Sequence, residues 1–205
     1  MAEIKLNKTE QKKQKNLLGQ LTKYLPTLQL KKQQLQVEVD GVRTGAEDLM
    51  REMQKVCDSM SSWSALLSQP LPFSVSSLVK VKEVVKTSEN IAGVEVPLFE
   101  SISFSILDYS YLFTPVWLDR AVVEFEALIT LREKYKIIKE KLSLLEEELR
   151  QTNIKVNLFE KRMIPECREN IRRIKIFLGD QEIAAICNAK IAKDKLEKKD
   201  LPEAV

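Results

Sequence analysis

Histidine is absent from this 205-residue chain, glycine occurs only five times, and aromatic residues make up 6%. Histidine is the side chain that titrates near neutral pH and the commonest metal ligand. Without it there is no Ser-His-Asp triad, no Cys-His pair and no ordinary catalytic zinc site. The three cysteines, Cys57, Cys167 and Cys187, are far apart and form no CxxC pair. That argues against a metal site or a disulfide framework and leaves small buried hydrophobes or free thiols in a reducing compartment. Scarce glycine argues against sandwiches, barrels and doubly wound sheets, which need many sharp turns. Neither GxxxxGK[ST] nor GxGxxG occurs, so no nucleotide-binding loop and no cofactor are expected.

Long apolar runs are missing too. The best candidate, Ile102 to Leu118, is broken by serines, Asp108 and Pro115, so no bilayer-spanning helix and no direct membrane insertion are expected. The opening MAEIKLNKTEQKKQKN has no apolar run after its charges and does not read as a secretory signal. A net charge of +3 is too small by itself to imply nucleic acid.

What remains is abundant Leu, Lys, Glu and Gln, with 31% of residues charged, the composition of long helices. Residues 1–69 read as an N-terminal long helix. Leu18, Leu21, Leu25, Leu28, Leu35, Val39, Val42, Ala46, Leu49, Met53, Val56, Met60, Trp63 and Leu67 recur at steps of three and four, interrupted only at Lys32. That is a heptad seam of the coiled-coil kind. Thr9 is the expected N-cap, with Glu10 in the first turn. Pro26 predicts a kink within the helix, because the seam keeps its phase across it. Gly41 and Gly45 mark either a close approach of the partner helix or local flexibility.

Residues 117–178 read as a second long helix, after a start signal at Thr114-Pro115. Its seam includes Leu128, Leu131, Tyr135, Ile138, Leu142, Leu145, Leu149, Thr152, Val156, Phe159 and Met163, then shifts by one position to Cys167, Ile171, Ile174 and Leu178. Such a shift is a stutter, which locally unwinds a supercoil. Pro165 lies beside it, so a second kink is expected there. Gly179 either ends the helix or weakens it, and residues 179–205 read as a helical extension with a frayed end.

The connecting residues 70–116 have a period of two. Val79, Val81 and then Val84 alternate loosely with lysines; Val94, Val96 and Leu98, then Ile102, Phe104 and Ile106, alternate with polar residues. This predicts a β-hairpin, with a turn at Thr87-Ser88-Glu89-Asn90 and with Glu89, Asn90 and Gly93 supplying turn chemistry. An isolated hairpin is only marginally stable, so it must lie against the end of the helical pair or a partner. Trp63 and Trp117 flank the junctions as core plugs rather than a ligand box.

The expected fold is therefore mainly α: a long antiparallel two-helix coiled coil with a small central β-hairpin region at the end opposite the termini. Folding back would pair residue i with about residue 185 − i, although the same seams could support a homodimer. Residues 1–16 carry five Lys and two Glu, and residues 161–199 carry eleven Lys/Arg and six Asp/Glu. An antiparallel pair would put both basic segments at one tip. The alternative is that these charges are solvated faces and frayed ends.

Three motifs carry a family resemblance. Glu89-Asn90-Ile91-Ala92-Gly93-Val94-Glu95-Val96-Pro97 is similar to the E-N-I-x-G-V-x-V-P segment of the D subunit of V-type ATPases and ATP synthases. Val156-Asn157-Leu158-Phe159-Glu160, then Ile164-Pro165, Ile171, Ile174-Lys175 and Leu178, resemble that family's V-N-A-L-E…I-P…I-x-x-I-K-x-x-L signature. Asn7-Lys8-Thr9-Glu10 fits its N-terminus. Leu158-Phe159 replaces the usual Ala-Leu, Ala92 stands where a bulkier residue is common, and the tail after Gly179 is less arginine-rich.

The resemblance implies a non-catalytic rotor shaft in the central stalk, cytoplasmic and peripheral to the membrane within a membrane-bound complex. It implies that the tip carrying both termini lies inside a head hexamer of catalytic and nucleotide-binding subunits. It also implies a small stalk partner, the F subunit, on the side of the shaft, and a funnel-shaped subunit above the membrane ring that seats the other end. Lys8, Lys12, Lys13, Arg168, Arg172, Arg173 and Lys175 are the expected head-ring contacts. Two other classes compete: a free-standing coiled-coil adaptor, which explains the seams but not the hairpin motif, and a nucleic-acid-binding coiled coil. The latter lacks stacking aromatics at the basic tip other than Phe159 and Phe177, so no nucleic-acid partner is expected.

Overall fold

A computed structural model describes residues 4–69, 73–109 and 114–199. Helix α1 runs from Lys8 to Ser61, strand β1 from Val79 to Ile91, strand β2 from Val94 to Ile106, helix α2 from Trp117 to Leu158, a π-helical turn from Phe159 to Met163, and helix α3 from Ile164 to Lys199. Residues 200–205, part of the expected extension, lie outside the described residues. The chain divides into two compact units, one formed by residues 1–30 and 153–205, the other by residues 31–152.

The cap of α1 sits two residues before the expected one. Asn7 Oδ1 accepts a 2.7 Å hydrogen bond from the Glu10 amide, satisfying a donor that has no partner within the helix. At its other end α1 stops at Ser61, before the expected Gln69, and a 3₁₀ turn spans Ser64–Ser68. Serines cause this. The hydroxyls of Ser59, Ser61, Ser62 and Ser64 each donate to the carbonyl three residues back, competing with the α-helical ladder.

In the unit of residues 1–30 and 153–205, Leu21 packs with Ile164 and Cys167, with Leu17, Leu18, Leu25, Phe159 and Met163 around them. The expected stutter takes a different form. Ile164 donates its amide to the carbonyl of Phe159, five residues back, so the extra residue of the repeat is absorbed in one wide turn. Pro165 has no amide to bond residue 161 and would crowd its carbonyl; the wider turn relieves that conflict. Ile164 and Asn170 are consequently buried, whereas Met163 and Ile171 are half-buried. Helix α3 then continues through Gly179, where an added Cβ would meet nothing.

In the unit of residues 31–152 the strands form a two-stranded antiparallel sheet from Val79↔Ile106 to Ile91↔Val94. Thr87–Asn90 belong to β1, paired with Leu98–Glu95, so the expected turn there is displaced. The reversal is Ala92-Gly93, with φ of +50° and +83°, the signs a two-residue type I′ turn requires. One irregularity in register falls between Val81 and Glu83, another between Val85 and Lys86. The first explains why the valine spacing slips from two to three at Val84.

The hairpin lies along the helical pair. Near its base, Leu78 and Val79 form a core with Leu118 and Val122. Near its tip, Val96 joins Leu35, Val39 and Leu145, with Ile91, Ala92 and Val94 packed around them. Trp63 and Trp117, centroids 6.2 Å apart, close the helix-to-hairpin junction; Trp63 is buried and its Nε1–H donates to Glu124 at 2.9 Å.

Candidate functional site

The residues singled out from the sequence fall into three groups. In the seam, Leu21, Leu35, Val39, Leu145, Val156 and Ile174 are buried, while Leu25, Leu28, Leu49, Met53, Leu142, Leu149, Phe159 and Ile171 are half-buried. Pairing within each unit follows the fold-back expected from the sequence. Leu21 lies beside Ile164, Leu35 beside Leu145, and Lys31 Nζ donates to Glu148 at 2.6 Å. Val96, Ile137, Ile164, Asn170, Leu78 and Leu118 are buried but lie outside the heptad pattern. The covering hairpin buries Val96, and the π turn moves the buried face to Ile164.

The basic group lies in the unit that contains both chain ends. Lys8, Lys12 and Lys13 on α1, and Arg168, Arg172, Arg173 and Lys175 on α3, are all exposed. Lys8 faces Glu182 at 3.7 Å and Lys13 faces Glu10 at 4.0 Å. Arg172 and Arg173 share Glu169 at 3.8 and 3.3 Å. Lys12, Arg168 and Lys175 make no ion pair among the described residues. Exposed pairs of this kind contribute on the order of 0–1 kcal/mol, so these side chains are available to another surface at little cost. Beneath them Cys167 is buried; its thiol is pushed up by that burial and then by the neighbouring Glu166 carboxylate.

The third group is the hairpin tip. Asn90 Oδ1 accepts from the Gly93 amide at 3.0 Å, so Asn90 serves the turn from its place at the end of the strand. Glu89 is paired in β1 and receives Lys141 Nζ at 3.2 Å; Lys86 donates to Glu140 at 3.1 Å. Lys134 sits over the Phe99 ring, 5.3 Å from its centroid. Two ion pairs and a cation–π contact thus fasten the hairpin to α2, around the apolar contact made by Val96.

Among the described residues no group of three or more His, Cys, Asp or Glu could hold a metal ion. No described helix is long and apolar enough to cross a membrane. The described residues present an exposed basic face and a hairpin held against α2.

The family model for the D subunit of ATP synthase matches residues 10–194. The chain is 44% identical to the V-type ATP synthase D subunit of Borreliella burgdorferi, over 98% of both chains. It is 39% identical to the protein of that name from Chlamydia muridarum, over 96% of this chain and 97% of that one. It is 37% identical to the Chlamydia caviae protein, over 97% and 96%. The match runs through both long helices and the hairpin between them, and the chain belongs to the D subunit family of V-type ATP synthases.

Proposed function

We propose that the chain is the central rotor shaft of a V-type ATPase or ATP synthase, a non-catalytic component that couples nucleotide turnover in the head to ion translocation in the membrane ring by rotating. The supporting observation is charge placement. Residues 1–30 and 153–205 hold 18 Lys/Arg and 11 Asp/Glu, net +7, whereas residues 31–152 are net −4. The unit holding both chain ends is thus the basic one. In this reading it sits inside the head hexamer of catalytic and nucleotide-binding subunits, the small F subunit binds the side of the shaft, and a funnel-shaped subunit above the membrane ring seats the other end.

The mechanism is differential contact. An asymmetric shaft in a ring of alternating subunits presents a different face to each. Each nucleotide state favours one set of contacts, so rotation and nucleotide state are coupled free energies, and the coupling is reciprocal. Lys8, Lys12, Lys13, Arg168, Arg172, Arg173 and Lys175 face the ring interior. Screened, exposed charges suit a surface that must slip, because no single pair is worth enough to trap the shaft at one angle.

Purification of the native complex through a tag on this chain tests the reading. Stoichiometric recovery of head subunits is expected, and reversal of the seven basic residues is expected to lower ion pumping per ATP hydrolysed. Recovery of the chain alone would favour a free-standing adaptor. A reversed variant that assembles and keeps wild-type coupling would remove the basic face from the mechanism.

A further inference from the structure

The chain ahead of α1 turns back along α3. Lys8, the first residue of α1, faces Glu182. Ile4, only four residues earlier, borders a cavity of about 430 Å³ whose walls reach from Arg162 to Arg173 of the opposite strand of the pair. The nine residues from Arg173 to Glu182 rise about 13 Å in a helix. Four residues of extended chain cover about the same distance, so residues 4–7 run back beside α3. Asn7 builds the reversal. Its amide donates to the Lys5 carbonyl at 3.1 Å, a γ-turn, while its side chain caps α1. Ile4 is half-buried, whereas Lys5 and Leu6 are exposed.

The cavity holds polar groups that nothing in it yet satisfies. Asn170 is only 8% exposed and makes no side-chain hydrogen bond among the described residues. Its amide is not sealed in the core and therefore reaches the cavity it lines. Arg173 is engaged by Glu169 at 3.3 Å, but Arg162 has no ion pair among the described residues. Glu166 and Glu169 on the same walls disfavour a small polyanion such as phosphate. An occupant with one carboxylate on a peptide backbone suits the site: the carboxylate meets Arg162, and a peptide group meets the donor and acceptor of Asn170. The residue before Ile4 is Glu3, which lies outside the described residues. Its Cα is one step of about 3.8 Å from that of Ile4. We propose that residues 3–7 are a strap that closes this cavity, with the Glu3 carboxylate on Arg162 and strap backbone on Asn170. Arg162 belongs to the π turn and Pro165 to the first turn after it, so the strap clasps the wide turn from outside. The strap is tethered beside its seat, which makes it a stronger competitor for the site than a free peptide. The proposal does not rest on the rotor reading.

The test uses the full-length chain with a photo-crosslinking amino acid at position 2, the products being mapped by mass spectrometry. An intrachain crosslink to residues 162–173 is expected. Arg162→Glu and Glu3→Lys are each expected to lower its yield at least five-fold, and Asn170→Leu to lower it as well. Glu3→Lys combined with Arg162→Glu exchanges the charges and is expected to restore the yield to within two-fold. Hydrogen exchange supplies a second readout: amides of residues 160–166 are expected to exchange at least five-fold faster in each charge variant and to recover in the exchanged pair. Yields indifferent to the charge at positions 3 and 162, an exchanged pair no better than the single variants, or crosslinks to another copy of the chain would overturn the strap.

Discussion

Leu144 and Leu145 are neighbours on α2 with the same chemistry and opposite environments, which makes them a direct test of where the seam lies. Leu145 is 0% exposed, enclosed by Leu35, Val39 and Val96, whereas Leu144 is 41% exposed. Leu145→Ala removes the equivalent of three methylenes from a site contacted by α1 and β2. At about 0.8 kcal/mol per methylene the transfer part is about 2.4 kcal/mol. A residual cavity raises the cost to about 3–4 kcal/mol, within the range for buried leucines. For a unit of this size each kcal/mol lowers the midpoint by about 4 °C, giving about 12–16 °C. Leu144→Ala has the same change in helix propensity and is expected to cost about 0.5 kcal/mol or less. Both tryptophans, Trp63 and Trp117, belong to the unit of residues 31–152. Their fluorescence therefore follows the unfolding of that unit, while far-ultraviolet circular dichroism follows all helices. Equal shifts for the two variants, or a larger one for Leu144→Ala, would mean that α2 presents a different face and that the core described around Val96 is wrong.

Four further outcomes are expected. Gly93→Ala places a Cβ at φ +83° and should lower stability by about 1–2 kcal/mol, while Ala92→Asn at φ +50° should be neutral or stabilising, both read by urea titration of tryptophan fluorescence. In native protein Cys57 and Cys187, both exposed, should react with a thiol reagent while buried Cys167 reacts only on unfolding. The raised thiol of Cys167 also means that the unfolded chain ionises first, so its contribution to stability is present below the ordinary thiol range near 8.5 and is lost as pH rises above it. Pro165→Ala should leave the π turn in place if the repeat itself demands the extra residue, whereas deletion of Glu160 should convert it to α-helix and displace Cys167 from its buried position, raising its labelling rate.

Much of this is legible in the sequence because one periodicity dominates each long segment. A seam repeated over many turns survives local errors, so Leu21, Leu35, Val39, Leu145 and Ile174 are identified by spacing alone. The slip at Met163 is also visible; its form is not, since a stutter spread over the supercoil and a π turn concentrated at one point accommodate the same extra residue. The hairpin turn is displaced from its expected place because Thr87-Ser88-Glu89-Asn90 has turn composition, yet pairing with Leu98–Glu95 overrides it. The decisive signal is Gly93, which adopts positive φ freely, together with Asn90 poised to accept from its amide. Val96 cannot be assigned to the core from alternation, because alternation identifies a face without saying what covers it.

The packing of the hairpin gives a reason for its presence in an otherwise helical chain. Two helices alone bury only a narrow stripe, and along α1 most seam residues, from Leu25 to Met53, remain half-buried. Within residues 31–61 of α1, the fully buried seam residues are the ones the hairpin covers. Leu35, Val39 and Leu145 lie beneath Val96, and Leu118 lies beneath the base of the strands. Each such residue gains on the order of 1 kcal/mol or more over a half-exposed one, at about 25 cal/mol per Å². The hairpin thus adds rigidity to the helices where it lies, which the proposed rotor role would require. Beside Gly41 and Gly45 that third layer is incomplete, leaving an open groove of about 650 Å³ bordered by α1, α2 and β2. If the hairpin stiffens the helix it covers, the amides around Leu35 and Val39 should exchange more slowly than those of residues 46–53, which no third element covers, and equal protection along α1 would break that link.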